Sequence, residues 1–166
     1  MGKIEVRIAS LPGMRVASSY AFGMSPEEEA WKPIRRFAEE RGIDPASGNY
    51  RTFGFDNPAP SPGSPEYGYE IWMPIGLDAD VSPPLIVKNF DGGSFAVSRI
   101  VGLSCIGPGW KDLIAWLEDS PLEWLSERFE MMEELLNPAE PDPERWSFDL
   151  YIPIRGCGSA SEPEEA

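Results

Sequence analysis

The sequence contains no histidine and only two cysteines, Cys105 and Cys157. Without histidine, the chain lacks the residue that most often serves as a general base or as a zinc ligand. The two cysteines stand far apart and outside any C-x-x-C pair, so they indicate neither a structural zinc site nor a definite disulfide. We therefore expect no bound metal and no cofactor.

Long hydrophobic runs and basic residues are also scarce. No apolar stretch is long enough to span a bilayer, and the first residues lack the apolar segment of a secretory signal. We therefore expect a cytoplasmic protein that does not associate with membranes. The 14 Lys and Arg residues face 28 Asp and Glu, which gives a net charge of −14. That charge disfavours nucleic acid as a partner and suits neutral or cationic partners, although acidity also serves solubility alone.

Aromatic residues, by contrast, are plentiful. The 166 residues include 6 Trp, 8 Phe and 5 Tyr, which is enough material for one hydrophobic core. We predict a single domain over residues 1–156, followed by a flexible acidic tail at 157–166.

In the first half, alternation and turn residues predict strands at 3–8, 14–21, 50–55 and 66–75. The first two strands are predicted to form a hairpin through the turn at 11–13. A capping box, Ser25-Pro26-Glu27-Glu28, predicts the start of a helix, and Gly42 predicts its end. A loop rich in Pro, Gly and Ser follows at 56–65.

The second half repeats this order. Strands are predicted at 84–90 and 93–101, joined as a hairpin by Asp91-Gly92, and at 147–154. Between them, the helical spacing of Trp110, Leu113, Ile114 and Leu117 predicts a helix. Residues 122–136 also have helical spacing, but the repeat requires a strand there. We expect a short helical turn at 121–126 and then a strand at 127–134.

The repeat is clearest in two strands that lie 79 positions apart. Residues 69–75 read YEIWMPI and residues 148–154 read FDLYIPI, and Trp31 and Trp110 are separated by the same distance. The sequence therefore predicts an α+β fold of two β-β-α-β-β modules, at about 3–76 and 84–154. A pseudo-twofold axis would relate the modules, which would share an antiparallel sheet and carry two main helices.

The predicted strands place acidic and aromatic side chains together. Glu70 and Trp72 share one face, and so do Asp149 and Tyr151. A carboxylate beside an aromatic ring attracts organic cations, although the rings could equally pack the sheet and Glu70 could be solvated.

A further carboxylate, Glu130, adjoins Met131 and Met132. Methionine suits surfaces that accept varied ligands, although Glu130 could equally belong to a solvated acidic face.

Several segments together resemble a known family. They are Leu11–Ala17 (LPGMRVA), Tyr67–Pro74 (YGYEIWMP), Gly92–Val97 (GGSFAV), Trp110–Leu117 (WKDLIAWL), Phe129-Glu130 and Asp149–Ile154 (DLYIPI). In order and spacing they resemble the GyrI-like small-molecule-binding domain, whose fold is that of the effector-binding domains of BmrR-type and AraC-type multidrug regulators. The resemblance spans roughly residues 3–154.

The resemblance implies two pseudo-symmetric modules with a pocket between them for lipophilic, often cationic, aromatic compounds. An acidic residue is typical of such pockets, and by position Glu130 matches it. Met132 stands where the family has tyrosine. The regulators also carry a helix-turn-helix domain that this sequence lacks, so we expect a stand-alone binding domain.

We therefore expect promiscuous binding of hydrophobic, preferably cationic, aromatic molecules. The candidate ligand-binding residues are Glu130, Glu70, Trp72, Tyr151, Phe55, Tyr20, Trp110 and Met132, and no catalytic residue is assigned. One alternative is a hydrolase of electrophilic aromatic toxins that uses pocket carboxylates as general acid and base. Another is a protein-binding module that resembles the gyrase inhibitors of the family.

Overall fold

The computed structural model describes residues 4–44, 51–135 and 140–155. The regular elements are β1 (Arg7–Leu11), β2 (Met14–Gly23), α1 (Glu27–Glu40), β3 (Phe53–Asp56), β4 (Tyr67–Ile75), β5 (Ile86–Phe90), β6 (Gly93–Val101), α2 (Ile106–Glu118), β7 (Met131–Leu135) and β8 (Ser147–Ile154). The predicted strand residues Lys3 and Tyr50, Leu136 of the ambiguous segment 122–136, and the predicted tail at 157–166 lie outside the described residues.

All eight strands form one antiparallel sheet in the order β1-β6-β8-β7-β3-β4-β2-β5. Both predicted hairpins are wrong, because β1 pairs with β6 and β5 pairs with β2. Each half of the chain thus places its first strand at the edge of the other half. The links are as short as predicted, at 12–13 and 91–92, but neither has the conformation of a turn, and a short link does not fix which strands pair.

The two links that make this exchange run past each other in close contact. A Cβ atom on Gly92 would lie 2.5 Å from the carbonyl oxygen of Leu11, and one on Gly13 would lie 3.3 Å from that of Phe90. Gly92 also has a φ of 81°, which only glycine adopts readily. Glycine at both positions therefore lets the links cross.

The two halves correspond element by element, which confirms the α+β fold of two pseudo-twofold-related modules. In one half Arg15 pairs with Ile75, and in the other Ser94 pairs with Ile154, each residue displaced by 79 positions. The central strands β3 and β7 correspond at 78 positions instead, since Phe53 and Met131 face the matching residues of β4 and β8.

Helix α1 starts without the predicted capping box. Pro26, not Ser25, precedes the first helical residue, and no side chain caps the helix. Three glutamates occupy the first turn instead, where they favour the positive end of the helix dipole. Gly42, with a φ of 68°, follows the last turn and confirms the predicted helix end.

The two helices pack on the same face of the sheet, one on each half. Helix α1 buries Ile34 and Phe37 against β2 and β4, and α2 buries Leu113 and Leu117 against β6 and β8. Neither helix covers the central pair β3–β7, so a gap remains above it. Within the described ranges, neither helix is long and apolar enough to cross a membrane.

The opposite face carries its own cluster of buried side chains. Phe53 and Phe95 are almost fully buried there, and their rings both meet Tyr151 edge to face. Aromatic pairs in this geometry add to the free energy gained from burial.

The ambiguous segment after α2 forms no helix, because it has a turn at 125–128 and then becomes strand β7. The helical turn predicted at 121–126 is wrong, and the strand predicted at 127–134 is Met131–Leu135. Strand β7 pairs with β8 and, more briefly, with β3, so it joins the two halves of the sheet. The open edges of β3 and β8 outweigh local helix propensity, because unpaired backbone groups there would be costly.

Smaller shifts affect other strands. The first strand begins at Arg7 rather than residue 3, and its Ile8 is exposed while Ile4 and Val6 pack near α2. The third strand extends to Asp56, and β5 begins at Ile86.

Candidate functional site

A cavity of about 1310 Å³ occupies the gap between the helices, above β3 and β7. Its walls come from both modules, as the sequence predicted for a ligand pocket. Trp31 of α1 and Trp110 of α2 are equivalent in the repeat and both line it, as do Tyr69 of β4 and Phe148 of β8. The aromatic rings on both sides provide surfaces on which a flat ligand can stack.

A stacked pair of aromatic rings also lines the cavity. Phe129 lies 4.3 Å from Phe55, centroid to centroid, with the planes 26° apart. Phe129 is 44% exposed, whereas Phe55 is buried. A large exposed ring beside a cavity is a ready contact for an apolar ligand.

Acidic side chains dominate the charge of this cavity. Six carboxylates and two guanidinium groups line it: Glu27, Glu28, Asp56, Glu130, Glu134, Glu140, Arg35 and Arg128. Both arginines are engaged, since Arg35 donates to Glu28 at 2.6 Å and Arg128 donates to the carbonyl of Gly92 at 2.7 Å. The cavity therefore favours a positive ligand.

Three of the six carboxylates lack an ion pair or hydrogen bond within the described part of the chain: Asp56, Glu130 and Glu134. The other three are held by Tyr67, Arg35 and Arg145. An unpaired carboxylate partly withdrawn from water is destabilised in its charged form.

The pKa values reflect that cost. Burial raises the pKa of Glu134 to about 6, against the lowering effect of Arg35. Burial, with the charge of Glu27, raises the pKa of Asp56. A cationic ligand would offset these penalties.

Burial also raises the pKa of Glu130, although Glu130 stays accessible to solvent from the cavity. The indole N–H of Trp124 lies close enough to oppose this rise. It does not reach hydrogen-bond geometry, and it is the one fully buried side-chain donor without a partner in the described ranges.

The structure brings four of the eight predicted residues to this cavity: Phe55, Trp110, Glu130 and Met132. It places the other four elsewhere. Glu70, Trp72 and Tyr151 lie on the sheet face opposite the helices, and Tyr20 of β2 is 51% exposed on that face. The ligand-binding roles of all eight residues stay predictions.

Glu70 is already neutralised where it lies. Its carboxylate accepts hydrogen bonds from Lys88 at 2.6 Å, from Trp72 at 2.7 Å, and from Ser18 and Asn57. Burial by itself would raise the pKa of Glu70, but these donors outweigh it and lower the pKa. Glu70 thus carries no spare charge for a ligand.

Two more buried carboxylates on that face are paired in the same way. Glu133 accepts two bonds from Arg51, at 2.7 and 2.9 Å, and one from Tyr151 at 2.7 Å. Asp149 accepts from Arg7 and Arg99. One face of the sheet therefore holds its acids in ion pairs, while the cavity face leaves three unpaired.

Metal chemistry finds no support among the described residues, where no group of three His, Cys, Asp or Glu side chains could hold an ion. Cys105 is an exposed free thiol just before α2.

Sequence reasoning missed several lining residues: Asp56, Glu134, Trp31, Tyr69, Phe129 and Trp146. The repeat could have indicated one of them, because Trp31 is the counterpart of the nominated Trp110. The repeat also relates Asp56 to Glu134 once the spacing of 78 in the central strands is used, but neither of these two was nominated.

A family model for the GyrI-like small molecule binding domain matches residues 4–155. No curated protein matches the sequence.

The fold is similar to several solved structures. The chain superimposes on EcmrR from an EcmrR–DNA complex with a TM-score of 0.72 at 10% identity, over 91% of this chain and 57% of EcmrR. This chain therefore spans just over half the length of that protein. A hydrolase from Listeria innocua gives 0.65 at 14% identity, over 93% of both chains. SAV2435 bound to tetraphenylphosphonium gives 0.56 at 10% identity, over 92% of this chain and 95% of SAV2435. Identities this low show a shared fold alone.

Proposed function

The chain belongs to the GyrI-like small molecule binding domain family, and on that premise we propose that its cavity binds hydrophobic aromatic cations of varied structure. The observation that carries the proposal is the set of three unpaired carboxylates, Asp56, Glu130 and Glu134, between aromatic walls. Rings supply stacking and cation–π attraction, and the carboxylates supply charge. A cytoplasmic location and the absence of a nucleic-acid partner stay predictions.

The cavity volume also fits this proposal. At about 1310 Å³ it exceeds the usual range of small-molecule sites, roughly 300–1,000 Å³, so one ligand of ordinary size leaves room to shift. Met132 on the floor can adjust its side chain to different shapes. Tetraphenylphosphonium, the compound bound to SAV2435, has the chemistry this cavity would accept.

The test compares tetraphenylphosphonium with neutral triphenylphosphine oxide by calorimetry and by thermal melting. We expect the cation to bind and to raise the melting temperature. Glu130→Gln should weaken the cation about fivefold to tenfold and the neutral compound less than twofold. Glu127→Gln is the matched control, because Glu127 is exposed and does not line the cavity. Equal losses for both compounds would refute the electrostatic part, and no binding of either would refute the proposal.

A hydrolase is the second candidate, and the pKa of Glu134 favours it. A carboxyl that titrates at about 6 can deliver a proton near neutrality while an ionised neighbour activates water. The likeness to a hydrolase from Listeria innocua fits this reading. An aryl epoxide is a suitable probe: water would add to the ring carbon as the C–O bond breaks and the oxygen takes a proton. Turnover abolished in Glu134→Gln and in Glu130→Gln would support it, and no turnover in the wild type would exclude this substrate class.

A further inference from the structure

Tyr69 holds its hydroxyl group over a glycine on the cavity floor. A Cβ atom on Gly54 would lie 2.1 Å from the Tyr69 oxygen, so only glycine leaves room for it. Tyr69 is only 8% exposed, and it lines the cavity. The phenol oxygen therefore lies against Gly54 on the cavity floor, between β4 and the central strand β3.

This hydroxyl has no hydrogen-bond partner among the residues that the structure describes. The hydroxyl is not sealed from solvent, because the indole nitrogen of Trp124 is the one fully enclosed side-chain nitrogen or oxygen without a partner in the described ranges. A ligand or a water molecule in the cavity can therefore serve as the partner of the Tyr69 hydroxyl. Tyr67, two positions earlier, is satisfied, because it donates to Glu27 at 2.6 Å. Burial and the nearby charges of Glu134, Glu27 and Asp56 raise the pKa of Tyr69, so the phenol stays neutral.

The repeat shows that the fold does not need this hydroxyl. Phe148 occupies the equivalent position in the second module, 79 residues later, and packs its ring without a polar atom. Met132 fills the place that corresponds to Gly54, where a hydroxyl would not fit. The two modules thus differ at this point. In the first module, the space above Gly54 is left to the Tyr69 hydroxyl, whereas in the second module the Met132 side chain fills the equivalent space.

The surroundings of the hydroxyl are acidic. Asp56 is opposite Tyr69 in the β3–β4 pairing, and Glu134 is the counterpart of Asp56 in the other module. Arg35, the lining cation that acts on Glu134, gives its hydrogen bond to Glu28. A ligand group here meets a phenol oxygen that can accept a hydrogen bond and carboxylates that can accept more.

We propose that this end of the cavity is a subsite for a protonated primary or secondary amine, whose N–H groups donate to the Tyr69 oxygen and to Asp56 or Glu134. Phosphonium and quaternary ammonium ions have no N–H, so they gain only the charge attraction. The inference deepens the proposed function and rests on it: the preferred natural ligand is a protonated alkylamine that carries an aromatic group.

The experiment uses two probes with the same naphthyl ring and the same charge, 2-naphthylmethylamine hydrochloride and (2-naphthylmethyl)trimethylammonium, whose nitrogen carries hydrogens in the first and methyl groups in the second. Both are titrated calorimetrically into the full chain at pH 7. The wild type should bind the amine more tightly. Tyr69→Phe should weaken the amine about tenfold, as expected for a hydrogen bond to a charged group, and change the quaternary ion less than twofold. Glu130→Gln should weaken both probes alike.

Urea unfolding checks that Tyr69→Phe is folded. Asp56→Asn is a second variant that should also reduce the preference for the amine over the quaternary ion. If the wild type binds both probes equally, or if Tyr69→Phe weakens both equally, the amine subsite is refuted and the proposed function stands. If neither probe binds the wild type, nor does tetraphenylphosphonium, the proposed function itself fails.

Discussion

The Nζ atom of Lys88 lies 2.6 Å from the carboxylate of Glu70, and the two residues come from strands of different modules. The carboxylate is buried and Lys88 is 39% exposed. We expect Glu70→Gln to lower the free energy of unfolding by about 1–3 kcal/mol, less than for a fully buried pair, because Lys88 keeps access to water.

Urea unfolding measures this loss, and the double variant Glu70→Gln/Lys88→Met isolates the pair. The lowered pKa of Glu70 sets the pH window: its stabilisation is present above the unfolded-state pKa and is lost as the pH falls through the lower folded-state pKa. Tetraphenylphosphonium affinity should stay within about twofold. A large loss of affinity without a loss of stability would place Glu70 in the ligand site after all.

Glu134 has the opposite relation to pH. Its folded-state pKa of about 6 exceeds the ordinary value of 4.5, so the folded protein holds the proton more tightly. Its contribution favours folding at low pH and disappears as the pH rises through 6. We compare the free energy of unfolding of Glu134→Gln with that of the wild type at each pH. The difference should favour the variant by about 1 kcal/mol more at pH 7.5 than at pH 4.5. Urea unfolding at both values tests this, and a difference that does not change with pH would contradict it.

Gly54→Ala should disturb the cavity floor. The added methyl group would meet the Tyr69 hydroxyl, and we expect a loss of about 1–3 kcal/mol in unfolding free energy. Gly23→Ala, also in a strand, is the matched control, because its Cβ would meet nothing within 4 Å. Adding Tyr69→Phe to Gly54→Ala should restore part of the loss. The test is thermal melting of the wild type, the two alanine variants and this double variant. Equal melting temperatures of the two alanine variants would show that Tyr69 does not lie over Gly54.

Gly92 and Gly42 separate crowding from backbone strain. Both have positive φ, 81° and 68°, but a Cβ on Gly92 would meet the backbone of the crossing link, whereas Gly42 has open space. Gly42→Ala should cost about 1 kcal/mol from strain alone. Gly92→Ala should cost at least about 2 kcal/mol more, measured by urea unfolding. Similar losses for both would mean that the links do not cross in contact.

The repeat made much of the fold predictable. Local patterns located β4, β6 and β8 within one residue of their observed bounds, and the spacing of 79 residues predicted that the two halves share one arrangement. It could not reveal the exchange of β1 and β5, since either pairing buries the same alternate side chains. Asp91-Gly92 is a strong hairpin signal only when the two flanking strands lie side by side.

The candidate site was less accessible to sequence reasoning. Glu130 and Trp110 were nominated and do line the cavity. Glu70 could not be separated from them, because its neutralising Lys88 comes from an exchanged strand whose position no local pattern indicates. Asp56 was read as the first residue of a loop, and the one-residue change in spacing between β3 and β7 hid its relation to Glu134.

The exchange of edge strands has a consequence for dissection of the chain. A fragment ending near residue 80 would contain β2 without its outer neighbour and β1 without a sheet to join, which leaves two unpaired edges. Such a half-length chain forms the observed pairings only by meeting another half, so we expect the fragments to associate as pairs. Two complementary halves, mixed after unfolding, would therefore reassemble into one domain. The two halves would then contact each other where the links at 12–13 and 91–92 cross.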